Sequence, residues 1–255
     1  MDLEANLLIY LGGDSANPDG REPNERCASF DYCFNYFQLF RDSGNIAALA
    51  SPANVQLSCL HLGFYLASWG MLRNSELQEK SARYLIPVVE VIASADVAFW
   101  EIDADCYTES NIQRLVELAG KICNALPDVS GTDALKTKIM LGVFGNVPAF
   151  DRNVSQGCIA EGMVGTFNEG ALEMIAAFYR RNDSVIDAYR VPTFDFIRGA
   201  HTQRYYTRAK VIDMALSIEG EKRLERKDQE KQERERRKTL NPSQDLVSEA
   251  VVPVL

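Results

Sequence analysis

The sequence predicts an all-α fold, and three observations carry that prediction. Apolar residues recur at helical spacing through most of the 255-residue chain, strand-like alternation is scarce, and a 46% apolar content can supply a sizeable core. The clearest segment, SNIQRLVELAGKICNAL at 110–126, is amphipathic, with Ser110 as a candidate N-cap. We therefore expect roughly seven to nine helices, with 189–199 (YRVPTFDFIRG) as one short strand or an extended loop.

The elements follow one another with recognisable boundaries. Residues 6–13 (NLLIYLGG) fit either a strand or the first turns of a helix, and a glycine pair ends them. The most hydrophobic helix is expected to begin at Ser51, as its N-cap, with Pro52 in its first position. Pro87 is expected to interrupt the helix that follows. The predicted helices span 29–45, 51–73, 76–93, 110–126, 132–144, 170–182 and 205–220.

Two units are predicted along the chain. Residues 1–216 form an all-α domain, which could consist of two lobes flanking a cleft, and 217–255 form a charged helix and a flexible tail. From Glu219 to Lys238 there are almost no apolar residues, so this segment is expected to be an exposed charged helix or disordered. The end, 239–255, is expected to be a floppy tail.

Charge and cysteine usage exclude several classes of protein. The net charge of −9 argues against a generic nucleic-acid coat, so any DNA contact must come from a local basic patch, helix N-termini or backbone amides. The six cysteines show no CxxC spacing and the two histidines stand alone, so no metal or other cofactor is expected. Free thiols indicate a reducing, cytoplasmic location. No apolar run reaches 18 residues and no basic leader opens the chain, so neither a membrane span nor a secretory signal is expected.

The stretch LPDVSGTDALKTKIMLGVFGNVPAFD, 126–151, carries the functional hypothesis. It is typical of a tight turn, a helix capped by Ser130 or Thr132, a glycine-containing loop and a single carboxylate, Asp151. Backbone amides at such a turn can hold a phosphate. Lys136 and Lys138 lie in the first turns of the helix, and at least one of them is expected to face solvent.

This stretch resembles the helix-hairpin-helix DNA glycosylases. LPDVS stands where that family has a Leu-Pro-Gly-Val-Gly turn, and the distance from Leu126 to Asp151 matches the family's distance to its catalytic aspartate. The resemblance covers about a tenth of the chain. Asp128 and Ser130 replace both glycines of the turn, which puts its grip on DNA in doubt. Thr132 stands where members with lyase activity have a lysine, which implies a monofunctional enzyme.

The resemblance implies roles for a small set of residues. Asp151 would be catalytic, stabilising positive charge on the sugar and orienting water. The walls of a pocket for a flipped-out base would come from the helix that carries Phe64, Tyr65, Trp69 and Arg73. The residues expected to contact the DNA backbone are Ser130, Gly131, Thr132, Lys136, Lys138 and Arg152.

Each of these residues also has a plainer interpretation. Asp151 could simply cap a helix, Tyr65 and Trp69 could belong to the core, and Arg73 could satisfy the last carbonyls of its helix. Lys136 and Lys138 could form a solvated face.

The resemblance implies an enzyme that hydrolyses the N-glycosidic bond of a modified base in double-stranded DNA. Some glycosylases of this general kind act against phage by excising modified cytosines such as glucosylated hydroxymethylcytosine, and repair of oxidised or alkylated bases is equally open. The competing hypothesis is a non-enzymatic all-α interaction module of a mobile-element or defence system, docking through its charged tail.

Overall fold

The computed structural model describes residues 1–73 and 75–240. That part of the chain is mostly helical, as the sequence predicts, with nine α-helices, short 3-10 turns and one pair of strands. The tail predicted for 239–255 lies outside the described residues from 241 onward. The helices are α1 (Leu3–Leu11), α2 (Ala28–Asp42), α3 (Val55–Ser68), α4 (Ile86–Ala93), α5 (Glu109–Asn124), α6 (Asp133–Phe144), α7 (Arg152–Ala160), α8 (Glu169–Ala188) and α9 (Arg208–Leu240).

Helix α6 lies at the centre of the fold. Thr132 caps it by accepting a hydrogen bond from the amide of Leu135 (3.2 Å), which confirms one of the two predicted caps. From Thr137 to Phe144 every residue is buried, so α6 has no solvent face beyond its first turn. Gly145, in the left-handed region (φ 70°), follows Phe144, the last residue of the helix, which is where the sequence predicts that the helix ends. Any polar side chain on α6 must therefore find its partner inside the protein.

Helix α9 packs against α7 at backbone contact distance. A Cβ on Gly157 would lie 2.0 Å from the carbonyl oxygen of Leu216, and one on Gly220 would lie 1.7 Å from that of Asn153. Both positions therefore require glycine for these helices to approach this closely. Helix α9 continues without a break through residues 216 and 217, where the sequence analysis divides the chain, and its side chains are exposed from Glu225 to Arg236.

Two short strands form an antiparallel hairpin before α9. Strand β1 (Pro192–Phe194) lies within the segment predicted as a strand or loop, and β2 (His201–Tyr205) was not predicted. The side chains of β2 alternate between exposed and half-buried, so this strand has no apolar face by which to recognise it. Among the described residues no helix is both long and apolar enough to cross a membrane.

Three predicted helix boundaries are wrong for local reasons. Helix α3 begins at Val55, because the Ser51 hydroxyl accepts a hydrogen bond from the side-chain amide of Asn54 (3.2 Å) within a preceding turn. Pro87 stands in the first turn of α4 and does not interrupt it, since the chain before it forms 3-10 turns. Thr108, and not Ser110, caps α5. The first error arises because a turn competes with the helix for the Ser51 hydroxyl.

Candidate active site

A cleft of about 1180 Å³ opens where the N-terminus of α7 meets the end of α3, the end of α1 and the loop before α2. Its lining mixes apolar and charged side chains, and it brings together segments far apart in sequence. The lining residues used below are Tyr10, Arg21, Arg26, Trp69, Asp151 and Arg152.

Asp151 both caps a helix and lines the cleft. Its Oδ1 accepts hydrogen bonds from the amides of Asn153 (3.0 Å) and Val154 (3.1 Å), which start α7. Its Oδ2 accepts one bond, from Lys138 Nζ (2.7 Å), and a quarter of the side chain (25%) remains exposed. A carboxylate oxygen can accept more than one hydrogen bond, so Oδ2 retains capacity toward the cleft.

The loop that carries Asp151 is fixed by side chains from two helices. The amide of Ala149 donates to Asp213 of α9 (2.9 Å), and the amide of Phe150 donates to Thr137 of α6 (2.8 Å). Both bonds are buried, where such bonds are strongest and their loss is most costly. The carboxylate of Asp151 is therefore held in position before any ligand arrives.

Lys138 is expected from the sequence to contact the DNA backbone, but it is buried, with only 4% of its surface exposed. Its ammonium group pairs with Asp151 and lies 5.0 Å from the centre of the Trp69 ring. The reason is that α6 is enclosed on all sides, so this side chain points inward. Lys136 is the partly exposed lysine of the pair, and it pairs with Asp133 (2.7 Å).

A second buried lysine adjoins the first. Lys210 of α9 is 2% exposed, binds Asp213 (2.8 Å) and Tyr10 (3.1 Å), and lies 5.6 Å from the Trp69 ring centre. Burial opposes its charge, but the Asp213 carboxylate raises the pKa of Lys210 above its ordinary value. The exposed guanidinium of Arg26 lies 4.9 Å from the same ring. Trp69 is thus surrounded by cationic groups, which its ring attracts.

A second part of the cleft wall is held in place by hydrogen bonds from a buried arginine. Arg21 donates to Asp31 (3.2 Å) and to the carbonyl oxygen of Pro192 (2.7 Å), and it also bonds Tyr206. Burial raises the pKa of Asp31 to about 6, although the neighbouring Arg21 favours its charged form. This cluster joins the loop before α2 to α2 itself, to strand β1 and to the segment between the hairpin and α9.

The predicted aromatic wall is only partly present. Trp69 lines the cleft, and Tyr65 is buried beneath it. Phe64 is 68% exposed and lines a different, apolar groove, since adjacent residues of a helix point about 100° apart. Arg73 is exposed and does not line the cleft. Phe64 and Arg73 therefore do not join Asp151 in this structure.

The turn before α6 is occupied by an acidic side chain. The hydroxyl of Ser130 donates to the carboxylate of Glu76 (3.1 Å). The pKa of Glu76 is lowered by a hydrogen bond from its own backbone amide and by those from the hydroxyl and the amide of Ser130. Ser130, Gly131 and Thr132 are exposed, and none of them lines the cleft. Glu76 thus takes the position that a phosphate was expected to fill.

Tyr10, Arg26, Lys210 and Asp213 were missed in the sequence analysis. The one sequence signal is Lys210 and Asp213 three residues apart inside the apolar run AKVIDMAL, which indicates an internal charge pair. Tyr10 and Arg26 carry no comparable signal, because each depends on a contact between distant segments.

Fold and site together define a helical protein with a fixed carboxylate and a tryptophan in a cleft lined by apolar and charged side chains. Within the described residues no three His, Cys, Asp or Glu side chains are grouped to hold a metal ion. Comparison with protein-family models, curated proteins and solved structures finds no match for this chain.

Proposed function

We propose that this protein is a monofunctional DNA glycosylase that hydrolyses the N-glycosidic bond of a flipped-out modified base and leaves an abasic site. The observation that carries the proposal is the position of Asp151, partly exposed on the wall of a cleft of about 1180 Å³ beside Trp69. A cleft of this size accommodates a nucleotide, including one whose base has a bulky substituent.

The proposed chemistry requires a negative charge fixed near the sugar. Positive charge develops on the deoxyribose as the base leaves, and the Asp151 carboxylate stabilises it and orients the attacking water. Two backbone amides and Lys138 hold that carboxylate, so little reorganisation is needed. Lys210 is 2% exposed and paired with Asp213 (2.8 Å), so its amine is not free to attack an abasic-site aldehyde, which supports hydrolysis without a Schiff base.

Binding of the nucleotide is assigned to the edges of the cleft. Trp69 offers a flat surface for the base once Arg26, whose guanidinium lies 4.9 Å from the ring centre, turns away from the ring, and Arg152 is exposed at the same cleft. No carboxylate in the described part of the chain lies within ion-pair distance of either arginine. These two cations therefore suit contacts with DNA phosphates. Contacts through Ser130 and Gly131 would require Glu76 to move away from the turn.

The base that is excised is proposed by resemblance alone. A modified cytosine of phage DNA, such as glucosylated hydroxymethylcytosine, and an oxidised or alkylated base in repair are the two substrate classes to test. The volume of the cleft admits either substrate.

The test is an abasic-site assay at low ionic strength on duplexes that each carry one modified base, together with phage DNA that carries glucosylated cytosines. Wild type is expected to form abasic sites, and Asp151→Asn to lose the activity by roughly the 10²–10³-fold typical of a removed electrostatic group. Asp128→Asn, an exposed carboxylate on the neighbouring turn, is the matched control and should remain active. Equal activity of wild type and Asp151→Asn would refute the mechanism.

The alternative function is a non-enzymatic interaction module. The observation in its favour is α9, whose exposed charged part from Glu225 to Arg236 extends beyond the packed helices. A chain shortened to residue 224 distinguishes the two functions. A glycosylase needs only the cleft for excision, so the shortened protein should remain active.

A further inference from the structure

Helix α3 leaves a stripe of apolar side chains uncovered along its outer face. Leu57 is 50% exposed, Leu60 47% and Phe64 68%, and Ala67 is exposed as well. Successive positions are three, four and three residues apart, the spacing at which side chains of an α-helix share one face and pack against a second helix. A continuous exposed stripe of this kind indicates a contact surface, unlike single apolar residues scattered over a protein.

An apolar groove of about 280 Å³ adjoins this stripe. It lies between α3 and the two 3-10 turns that precede α4, Glu76–Glu79 and Ala82–Leu85. Leu60 and Phe64 line it from α3, and Leu77 lines it from the first turn. The surface therefore combines projecting apolar side chains with a depression that can accept such side chains from a partner.

The charge distribution permits two copies of the chain to meet at α3. The chain carries a net charge of −9, so two copies repel each other. Val55–Ser68 contains no charged residue, and its histidine, His61, stacks half-buried on Tyr36 with the ring centres 4.1 Å apart. Among the described residues that line the groove the charged one is Lys80, which pairs with Asp128 (3.4 Å). Contact through α3 therefore buries no unpaired charge.

The order of large and small residues along α3 selects a second copy as the partner. Two copies that pack antiparallel, about a two-fold axis midway between positions 63 and 64, pair Leu57 with Gly70, Leu60 with Ala67 and Phe64 with Gly63. Each large apolar side chain then faces a small residue of the other copy, and symmetry repeats every contact. Gly63 also lines the groove, so Phe64 of one copy enters the groove of the other.

We propose that the outer face of α3 and the apolar groove beside it form the interface of a symmetric homodimer of this chain. The proposal is independent of the function of the cleft, because Leu57, Leu60 and Phe64 do not line the cleft. Twelve of the described residues line the groove, compared with about 20–30 residues a side in a standard interface. The dimer is therefore expected to be weak, with a dissociation constant in the micromolar range.

Sedimentation equilibrium of the full-length chain measures this dissociation constant. Phe64→Asp places a charge at the centre of the interface in both copies and removes two buried aromatic rings, so it should raise the constant about a hundredfold. Phe196→Asp, at a phenylalanine of the β1–β2 hairpin that is 72% exposed, is the matched control and should leave the constant unchanged. Circular dichroism checks that both variants are folded.

A size swap tests the antiparallel pairing. Ala67→Leu alone sets leucine against leucine at two symmetric contacts and should weaken the dimer about tenfold. Leu60→Ala/Ala67→Leu again sets a large residue against a small one and should restore the wild-type constant. A partner other than a second copy would not be rescued by this exchange.

A wild type that remains monomeric at about 100 µM, well above the expected constant, would overturn the proposal. A dimer that Phe64→Asp leaves intact, or a size swap that fails to restore association, would overturn it as well. Sedimentation of a monomeric wild type with phosphatidylcholine–phosphatidylglycerol vesicles, lost in Phe64→Asp, would assign this face to a membrane instead.

Discussion

The pairing of Lys138 with Asp151 makes a quantitative prediction that does not depend on catalysis. Asp151→Asn preserves the cap of α7, because asparagine also accepts hydrogen bonds from backbone amides. It leaves the ammonium group of Lys138, whose side chain is 5% exposed, without its counter-charge. Breaking a buried pair from one side costs about 3–5 kcal/mol, and a charge-assisted hydrogen bond contributes about 1.5–3 kcal/mol. Since Asp151 is a quarter exposed, we expect Asp151→Asn to lower the free energy of unfolding by about 2–3 kcal/mol.

The same reasoning predicts the relative stabilities of the other variants. Lys138→Met keeps an apolar stem beneath Trp69 and leaves a carboxylate that water can reach through the cleft, so it should cost less than Asp151→Asn. The double variant has no buried unpaired charge and should be more stable than the sum of the single changes indicates, by about 2 kcal/mol. Urea denaturation followed by circular dichroism measures all four proteins, provided that the denaturant slope is unchanged.

An exposed ion pair provides the control for this cycle. Lys80 and Asp128 lie 3.4 Å apart with side chains 31% and 67% exposed, so Lys80→Met and Asp128→Asn should couple by less than about 0.5 kcal/mol. Additive effects of Lys138→Met and Asp151→Asn would contradict the pairing and remove the fixed carboxylate on which the proposed mechanism depends.

Three further predictions follow from contacts and charges elsewhere. Gly220→Ala would place a Cβ 1.7 Å from a backbone oxygen of α7 and should cost about 3 kcal/mol, whereas Gly120→Ala, with open space around it, should be neutral or stabilising by up to about 1 kcal/mol in the same denaturation assay. Burial raises the pKa of Asp31 from 3.8 to about 6, so between pH 3.8 and pH 6 the native state binds more protons than the unfolded state. The contribution of Asp31 to the free energy of unfolding is therefore full below pH 3.8 and is lost as the pH rises through 6. Asp31→Asn should abolish this fall of stability with pH, and a rise of wild-type stability over the same range would contradict the assignment. Arg26→Ala and Arg152→Ala should each reduce the salt dependence of duplex binding by about one unit in log–log slope, and an unchanged slope would remove that arginine from the interface.

The sequence predicts the helices better than it predicts their boundaries. Helix α5 is clear from its amphipathic periodicity, although Thr108 and not Ser110 caps it, and helix α6 is clear from its cap at Thr132. The start of α3 is missed because Ser51 engages Asn54 within a turn, a choice between two local hydrogen bonds that the letters do not distinguish. Strand β2 is missed because a two-stranded hairpin with one polar face needs no hydrophobic alternation.

The candidate site is less predictable than the fold, because its parts meet only in three dimensions. Asp151 and Trp69 can be singled out from the sequence, and both line the cleft. The burial of Lys138 cannot be predicted, since lysine is rarely buried and only the packing around α6 forces this side chain inward, whereas the apolar run that holds Lys210 and Asp213 gives a signal for Lys210. Phe64 lies on the same helical segment as Trp69, but the helical twist directs its side chain to another groove.

The interpretations of Asp151 as a helix cap and as a catalytic carboxylate do not exclude each other. The cap uses Oδ1, and its two amide bonds fix the orientation of the carboxylate plane relative to α7. Once that plane is fixed, Oδ2 has one direction to face, and there it meets Lys138. A free side chain on a loop would have to be ordered at each turnover, whereas this one is ordered by folding, and the free energy of that ordering is part of the stability of the protein. The cap is therefore the means by which a carboxylate at this position can be held ready, and a substitution that preserves the cap but removes the charge separates the two roles.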